Sequence, residues 1–141
     1  MAHIYVVYNA DSTALGKMKY AYTKISSSSS DSPCAACDLT HNGLHLTETV
    51  QWSAAKKRIE GAEIHQLHRD ELKGELKRFV DSEKLELPVV LGQESMERTA
   101  LKVLMTKGEL ALCSKDHEKF LASLQKNASG QGIVLNIQSN E

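Results

Sequence analysis

The stretch His3-Ile-Tyr-Val-Val-Tyr8 decides the fold class of this chain. β-branched and aromatic residues fill it without polar alternation, which is typical of a central strand covered on both faces. Asn9 ends the strand, and Asp11 or Ser12 can cap a helix that runs to about Ile25. The first unit is therefore a strand followed by a helix, the unit from which α/β folds are built.

The rest of the chain continues this alternation. Cap residues and apolar positions at helical spacing predict three further helices, from Thr47 or Thr49 to the stop at Gly61, from Asp70 through Leu72 to Val80, and from Ser114 through Leu124. Short apolar runs predict strands, over 62–67, over 87–91 with Pro88 at its start, and over 133–135, with a hairpin of 101–105 and 109–113 around Lys107-Gly108. This order predicts an α/β fold with a mixed sheet flanked by helices on both faces.

Length and composition predict one globular domain over residues 1–141. A chain of 141 residues has the commonest domain size and buries about two-thirds of the surface of its unfolded form. Hydrophobic residues make up 41% and charged residues 25%, which is ordinary globular usage.

Charge and hydropathy exclude several classes of partner. Lys and Arg number 17 against 18 Asp and Glu, so the net charge of −1 gives no field that attracts nucleic acid. The sequence has no basic segment followed by an apolar signal region, and no run of about 18 apolar residues. We therefore expect no signal peptide, no membrane contact and a cytoplasmic location.

The paired cysteines Cys34 and Cys37 are the best candidates for chemistry. The chain has three cysteines, and without an export signal we expect them to be reduced. A polar tract over 26–32 and Pro33 precede the pair, which favours an exposed Cys34. A pair separated by two residues can close a disulfide, so Cys34 would attack and Cys37 would resolve, with a protein disulfide or a small thiol as partner.

Two other interpretations of these cysteines remain open. Unpaired cysteines are often buried, so Cys34 and Cys37 can also be packing residues. They can also form a zinc site with His41, and Cys113, His45, His65 or His68 then supplies the fourth ligand. Because the second close pair of ligands is missing, we predict no cofactor, with zinc as the alternative.

The order of elements and Pro88 resemble the thioredoxin-like fold. In that family a strand begins at a cis proline that faces the reactive thiol, which the resemblance assigns to Pro88. The resemblance covers residues 3–126 and implies that 26–61, with the serine tract and the paired cysteines, is an insertion after the first helix.

The position of the cysteines departs from that family's pattern. Its paired cysteines directly follow the first strand, where this chain has 9–13, Asn-Ala-Asp-Ser-Thr. This departure motivates a rival function, a non-catalytic binding module that presents Asn9, Asp11 and the Cys34 loop to a protein partner.

Three short segments resemble a family of small bacterial proteins without an established activity. These segments are Val7–Asp11, Val-Tyr-Asn-Ala-Asp; Cys34–Thr40, Cys-x-x-Cys-x-Leu-Thr; and His68–Glu71, His-Arg-Asp-Glu. The resemblance implies that they belong to one site. Asp11 can orient a ligand or take a proton, or it is simply a helix cap. His68 and Arg69 end a strand, where they can act as a base or favour a thiolate, or be surface residues.

Nucleotide and hydrolase motifs are not supported. A phosphate loop requires glycine at the position of Asp11 and a hydroxyl residue at that of Met18. The sequence contains no Gly-x-Ser-x-Gly, and no catalytic triad is assigned. A thiol–disulfide redox protein is therefore the leading functional hypothesis.

Overall fold

The computed structural model describes residues 1–9, 49–95, 100–113 and 116–138. In chain order its elements are β1 (Ala2–Tyr8), α1 (Val50–Lys57), β2 (Ile59–Glu60), β3 (Ala62–His68), α2 (Gly74–Ser82), β4 (Val89–Gln93), β5 (Lys102–Met105), α3 (Lys107–Cys113), α4 (His117–Gly130) and β6 (Asn136–Ile137). The helix and loop predicted over 11–32 lie outside the described residues, as do the paired cysteines.

A four-stranded mixed sheet in the order β3-β1-β4-β5 organises the fold. β1 pairs with β3 in parallel and with β4 antiparallel, and β5 pairs with β4 antiparallel. The prediction that the first strand is central is confirmed, because β1 has a paired strand on either side. The short strands β2 and β6 form a separate antiparallel pair.

Helices cover both faces of this sheet, as predicted for an α/β fold. On one face, Ile4 and Val6 of β1 pack with Trp52 of α1 and with Phe120 and Leu124 of α4. On the other face, Val7 and Leu91 pack with side chains of α2 such as Val80. Successive β1 residues alternate between these faces, which is why the strand has no polar side in the sequence.

The described helix of the 26–61 segment begins as predicted but ends early. Thr49 caps α1, because its hydroxyl accepts a hydrogen bond from the backbone N–H of Trp52 at 3.1 Å. The predicted extension to Ile59 is wrong, since Ile59 lies in β2 and pairs with Ile137. Gly61, with φ of 79°, turns the chain from β2 into β3.

The predicted cap at Asp70 is wrong. A short 3₁₀ turn over Arg69–Glu71 follows β3, and α2 begins only at Gly74. The turn is held by Glu71, whose carboxylate accepts a hydrogen bond from the backbone N–H of His68 at 2.8 Å. The N-cap position of α2 is therefore Lys73 and not Asp70.

The predicted hairpin around Lys107-Gly108 is also wrong, because Lys107–Cys113 is helix α3. Thr106 and Glu109 form a reciprocal capping box. The Glu109 N–H donates to the Thr106 hydroxyl at 3.2 Å, and the Thr106 N–H donates to the Glu109 carboxylate at 3.1 Å. The antiparallel partner of β5 is β4.

Two corrections concern the C-terminal part. Asp116, and not Ser114, caps α4 by accepting a hydrogen bond from the Lys119 N–H at 3.1 Å. The segment 133–135 is not a strand, although its side chains alternate between buried and exposed. The backbone N–H of Ile133 instead donates to Ala128 at 2.8 Å, which closes the end of α4. Within the described ranges, no helix has the length and apolar character needed to cross a bilayer.

We expect Glu109→Gln to destabilise the fold by about 1 kcal/mol at pH 7, because glutamine keeps the capping box but its hydrogen bonds lack the carboxylate charge. Burial alone would raise the pKa of Glu109, but hydrogen bonds from Thr106 and from the Asn127 amide outweigh it and lower that pKa. The carboxylate therefore stabilises the fold above its ordinary pKa of about 4.3, and this stabilisation disappears as the pH falls through the lowered pKa of the folded state.

Urea unfolding at pH 7 and at pH 3 measures this effect. Glu83→Gln, at an exposed position after α2, is the control and should change the free energy of unfolding by less than about 0.5 kcal/mol. An equal loss at both pH values for Glu109→Gln would show that the carboxylate charge is not what stabilises α3.

Candidate functional site

The carboxyl ends of β1 and β3 lie at one edge of the sheet because the two strands are parallel. Tyr8 pairs with His68 across them. On the other side of β1, Val7 pairs with Val89, which places Pro88 at the same edge. The Leu87–Pro88 peptide bond is cis.

Four of the sequence-predicted site residues therefore come together at this edge, which we call the carboxyl-end site: Asn9, His68, Arg69 and Pro88. Cys34, Cys37, Asp11 and His41 lie outside the described residues.

A hydrogen bond joins the two chain segments that leave the parallel strands. Arg69 Nη1 donates to Asn9 Oδ1 at 3.4 Å. Asn9 directly follows β1 and Arg69 directly follows β3, so the bond fixes one segment against the other. It also places a permanent positive charge beside the end of β1.

Glu71 orients the imidazole of His68. His68 Nδ1 lies 2.7 Å from Glu71 Oε1, which also accepts the His68 backbone N–H. These two hydrogen bonds, the backbone one first, lower the pKa of Glu71 and keep it ionised. When the neutral ring donates from Nδ1, its Nε2 carries the lone pair, which is the form that a general base needs.

A buried tyrosine supports the same edge from within the sheet. The Tyr8 ring lies 5.2 Å from the His68 ring, measured between centroids. Its hydroxyl accepts a hydrogen bond from Gln66 Nε2 at 2.6 Å, and Gln66 in turn accepts one from Lys56 at 2.8 Å. The sequence analysis did not predict these contacts. Their only sign in the sequence is Gln66, a polar residue at a position of β3 that faces α1.

A second polar group lies on the α2 face towards the other end of the sheet, and the sequence analysis named only one of its residues, His65, as a possible fourth ligand of a zinc site at Cys34 and Cys37. His3, Glu63 and His65 form this histidine cluster. His3 Nδ1 lies 3.0 Å from His65 Nε2 and 3.7 Å from Glu63 Oε2. The three donor atoms lie within 4.8 Å of one another, a spacing at which they could hold a metal ion.

Tyr5 and Gln93 adjoin the histidine cluster. The Tyr5 ring stacks on His65 at 4.8 Å between centroids, and its hydroxyl donates to Gln93 Oε1 at 2.8 Å. Burial and the charge of Glu63 raise the pKa of Tyr5, so its hydroxyl keeps its proton. In the sequence, this cluster is indicated by two polar residues on the same face of each strand, His3 with Tyr5 in β1 and Glu63 with His65 in β3.

Cys113 is a core residue at the end of α3. It is buried with Trp52 and Phe120, and burial raises the pKa of its thiol despite a hydrogen bond with Ser123. A raised pKa disfavours the thiolate that attack or metal binding requires. Cys113 is therefore not suited to either role.

No family model, curated protein or solved structure matches this chain.

Proposed function

We propose that this protein carries out thiol–disulfide exchange through Cys34 and Cys37 on a thioredoxin-like scaffold. The observation that carries the proposal is the carboxyl-end site, where Asn9, His68 and Arg69 lie together with Pro88. The chain leaves this edge after Asn9 and enters the segment that contains both cysteines.

The order of elements supports the scaffold. From β1 to α4 the sheet strands β1, β3, β4 and β5 follow one another in the chain, with α1 and the short strand β2 before β3, α2 before β4, and α3 and α4 after β5. β1 and β3 are parallel, and β4 and β5 are antiparallel. The resemblance to the thioredoxin-like fold was based on a similar order of elements. The antiparallel pair in that order is β4 with β5, and not the hairpin predicted around Lys107-Gly108. Pro88 precedes β4, the position that the resemblance gives to the proline facing the thiol.

The charges at the carboxyl-end site suit thiolate chemistry. A cationic neighbour lowers the pKa of a thiol and raises the fraction that can attack. Arg69 carries such a charge at this edge, and Nε2 of a neutral His68 can accept the proton that the thiol loses.

The exchange takes place in two thiolate attacks and needs no cofactor. The Cys34 thiolate attacks one sulfur of a substrate disulfide, and the other sulfur leaves as a thiolate that takes up a proton. The Cys37 thiolate then attacks the Cys34 sulfur and releases the second substrate thiol. The substrate gains two electrons. Two molecules of a small thiol then reduce the Cys34–Cys37 disulfide and leave as one small disulfide.

Thiol labelling of the native protein across pH tests this proposal, with an aromatic disulfide as the probe. We expect Cys34 to react with an apparent pKa below about 8.5, the ordinary value for cysteine. Cys34→Ser should abolish the fast phase. Cys37→Ser should keep it and accumulate the mixed disulfide, because the resolving thiol is missing.

Cys113→Ser is the matched control, since its buried thiol should contribute nothing to the fast phase. A Cys34→Ser variant with unchanged reactivity would overturn the proposal. Labelling of Cys34 and Cys37 only on unfolding would overturn it too and favour a binding module at the same edge.

A further inference from the structure

We propose that the histidine cluster binds a divalent transition-metal ion of the zinc class, with His3, Glu63 and His65 as ligands. The site lies on the α2 face of the sheet and shares no residue with the carboxyl-end site. The inference therefore does not depend on the chemistry of Cys34 and Cys37.

The strand register brings the three ligands together. His3 of β1 pairs with Glu63 of β3, and Tyr5 pairs with His65. Side chains two residues apart in a strand share a face, so Glu63 and His65 both stand beside His3. Two hydrogen-bonded strands hold the donors, which limits the loss of conformational entropy when an ion binds.

The distances between the donor atoms are compatible with a shared metal ion. Zinc bonds of 2.0–2.1 Å in a tetrahedral arrangement place neighbouring donors about 3.3 Å apart. The distances from His3 Nδ1 are 3.0 Å to His65 Nε2 and 3.7 Å to Glu63 Oε2. Without an ion, the first distance is a hydrogen bond and the second is within ion-pair range. Both distances also lie close to the separation of two ligands of one zinc ion, so His3 can share an ion with each partner.

The donor set selects the class of metal. Two neutral imidazoles and one carboxylate carry a single negative charge, which a divalent cation more than neutralises. Calcium and magnesium prefer oxygen ligands throughout, and copper(I) prefers sulfur. Imidazole with carboxylate suits zinc and the other divalent transition metals, such as iron(II), nickel(II) and copper(II).

Burial gives the site a closed side and an open side. The side chain of His3 is 11% exposed and that of Glu63 is 58% exposed. An ion would enter past Glu63, and with three protein ligands a tetrahedral ion keeps one position for water. Tyr5, stacked on His65 and hydrogen-bonded to Gln93, acts as a positioning residue for that imidazole.

Zinc titration of the full chain tests the site, in competition with a chromophoric chelator. The Cys34→Ser/Cys37→Ser double variant is the starting protein, because it removes both cysteine ligands of the other candidate zinc site. We expect it to bind one zinc ion per chain. Adding His65→Gln should weaken zinc binding by at least about 100-fold. His65 is a direct ligand, and even the loss of a residue that only supports a ligand weakens binding by up to about 100-fold.

Glu63→Gln and His117→Gln complete the design. Glu63 is mostly exposed, so Glu63→Gln should keep the fold and its metal-free melting temperature while weakening zinc binding at least tenfold. His117→Gln, on α4, is the matched control and should leave the affinity unchanged. Cobalt(II) bound to the double variant should show d–d bands without thiolate charge transfer.

Failure of the double variant to bind zinc would overturn the inference and leave the cluster as a hydrogen-bonded pair beside a carboxylate. Equal affinity in the Glu63→Gln variant and its parent would overturn it as well. Neither result bears on thiol exchange, which is measured on the protein with both cysteines present.

Discussion

Trp52→Ala is expected to lower the free energy of unfolding by about 3–5 kcal/mol, the range for truncating a buried tryptophan. Trp52 is 0% exposed and packs edge-on against Phe120, at 5.4 Å between ring centroids. Among the described residues, its indole N–H is buried without a hydrogen-bond partner. The loss is therefore one of apolar packing, and it leaves a cavity between α1, α4 and the sheet.

Val50→Ala is the control, since Val50 lies in the same helix and is 82% exposed. It should change the free energy of unfolding by less than about 0.5 kcal/mol. Urea unfolding followed by circular dichroism is the measurement, because Trp52 is the only tryptophan and fluorescence would differ between the proteins. A loss below about 1 kcal/mol for Trp52→Ala would indicate that the 26–61 segment can detach from the core.

The strands of the sheet could be predicted because their signal is local. The runs over His3–Tyr8 and 87–91 are largely apolar on consecutive residues, which predicts that both faces of each strand are covered. Helices on the two faces of the sheet supply that cover. The strand over 62–67 was predicted from Ile64 and Leu67, which face opposite sides of the sheet. In each case the residues of one segment were enough to indicate which of its side chains are buried.

The hairpin was mispredicted because two local signals compete in the same residues. Lys107-Gly108 resembles a turn, whereas Thr106 and Glu109 three residues later resemble a helix start. Leu110 and Cys113 decide between them, since both are buried against α4 only if the segment is helical. That partner lies further along the chain, so the choice could not be made from the segment alone.

The two polar sites differ in how far the sequence could reveal them. Asn9 and Arg69 directly follow β1 and β3, and His68 is the last residue of β3, so their shared edge follows once the strands are parallel. The histidine cluster depends on the register of β1 against β3, which pairs His3 with Glu63 and not with a neighbour. A shift of one residue would turn His65 to the other face, and nothing within either strand fixes that register.

We expect Gly92→Val to destabilise the protein by about 3 kcal/mol, the upper part of the range for overpacked cores. A Cβ atom at Gly92 in β4 would lie 2.6 Å from Leu104 Cδ1 and 3.1 Å from Ile133 Cδ1. Both neighbours are 1% exposed, so neither side chain can move into solvent. The valine methyl groups add volume where a single Cβ already forces the core to shift.

A helical glycine and a double-mutant cycle show whether this close contact is the cause. Gly130→Ala, at the end of α4 where a Cβ meets nothing within 4 Å, should instead stabilise by about 0.4–1 kcal/mol by restricting the unfolded chain. Leu104→Ala leaves space next to Gly92, so Gly92→Ala should be far less harmful in that background than in the natural sequence. If the two substitutions are additive in urea unfolding, the steric account is wrong. Any loss at Gly92 must then come from the backbone of β4.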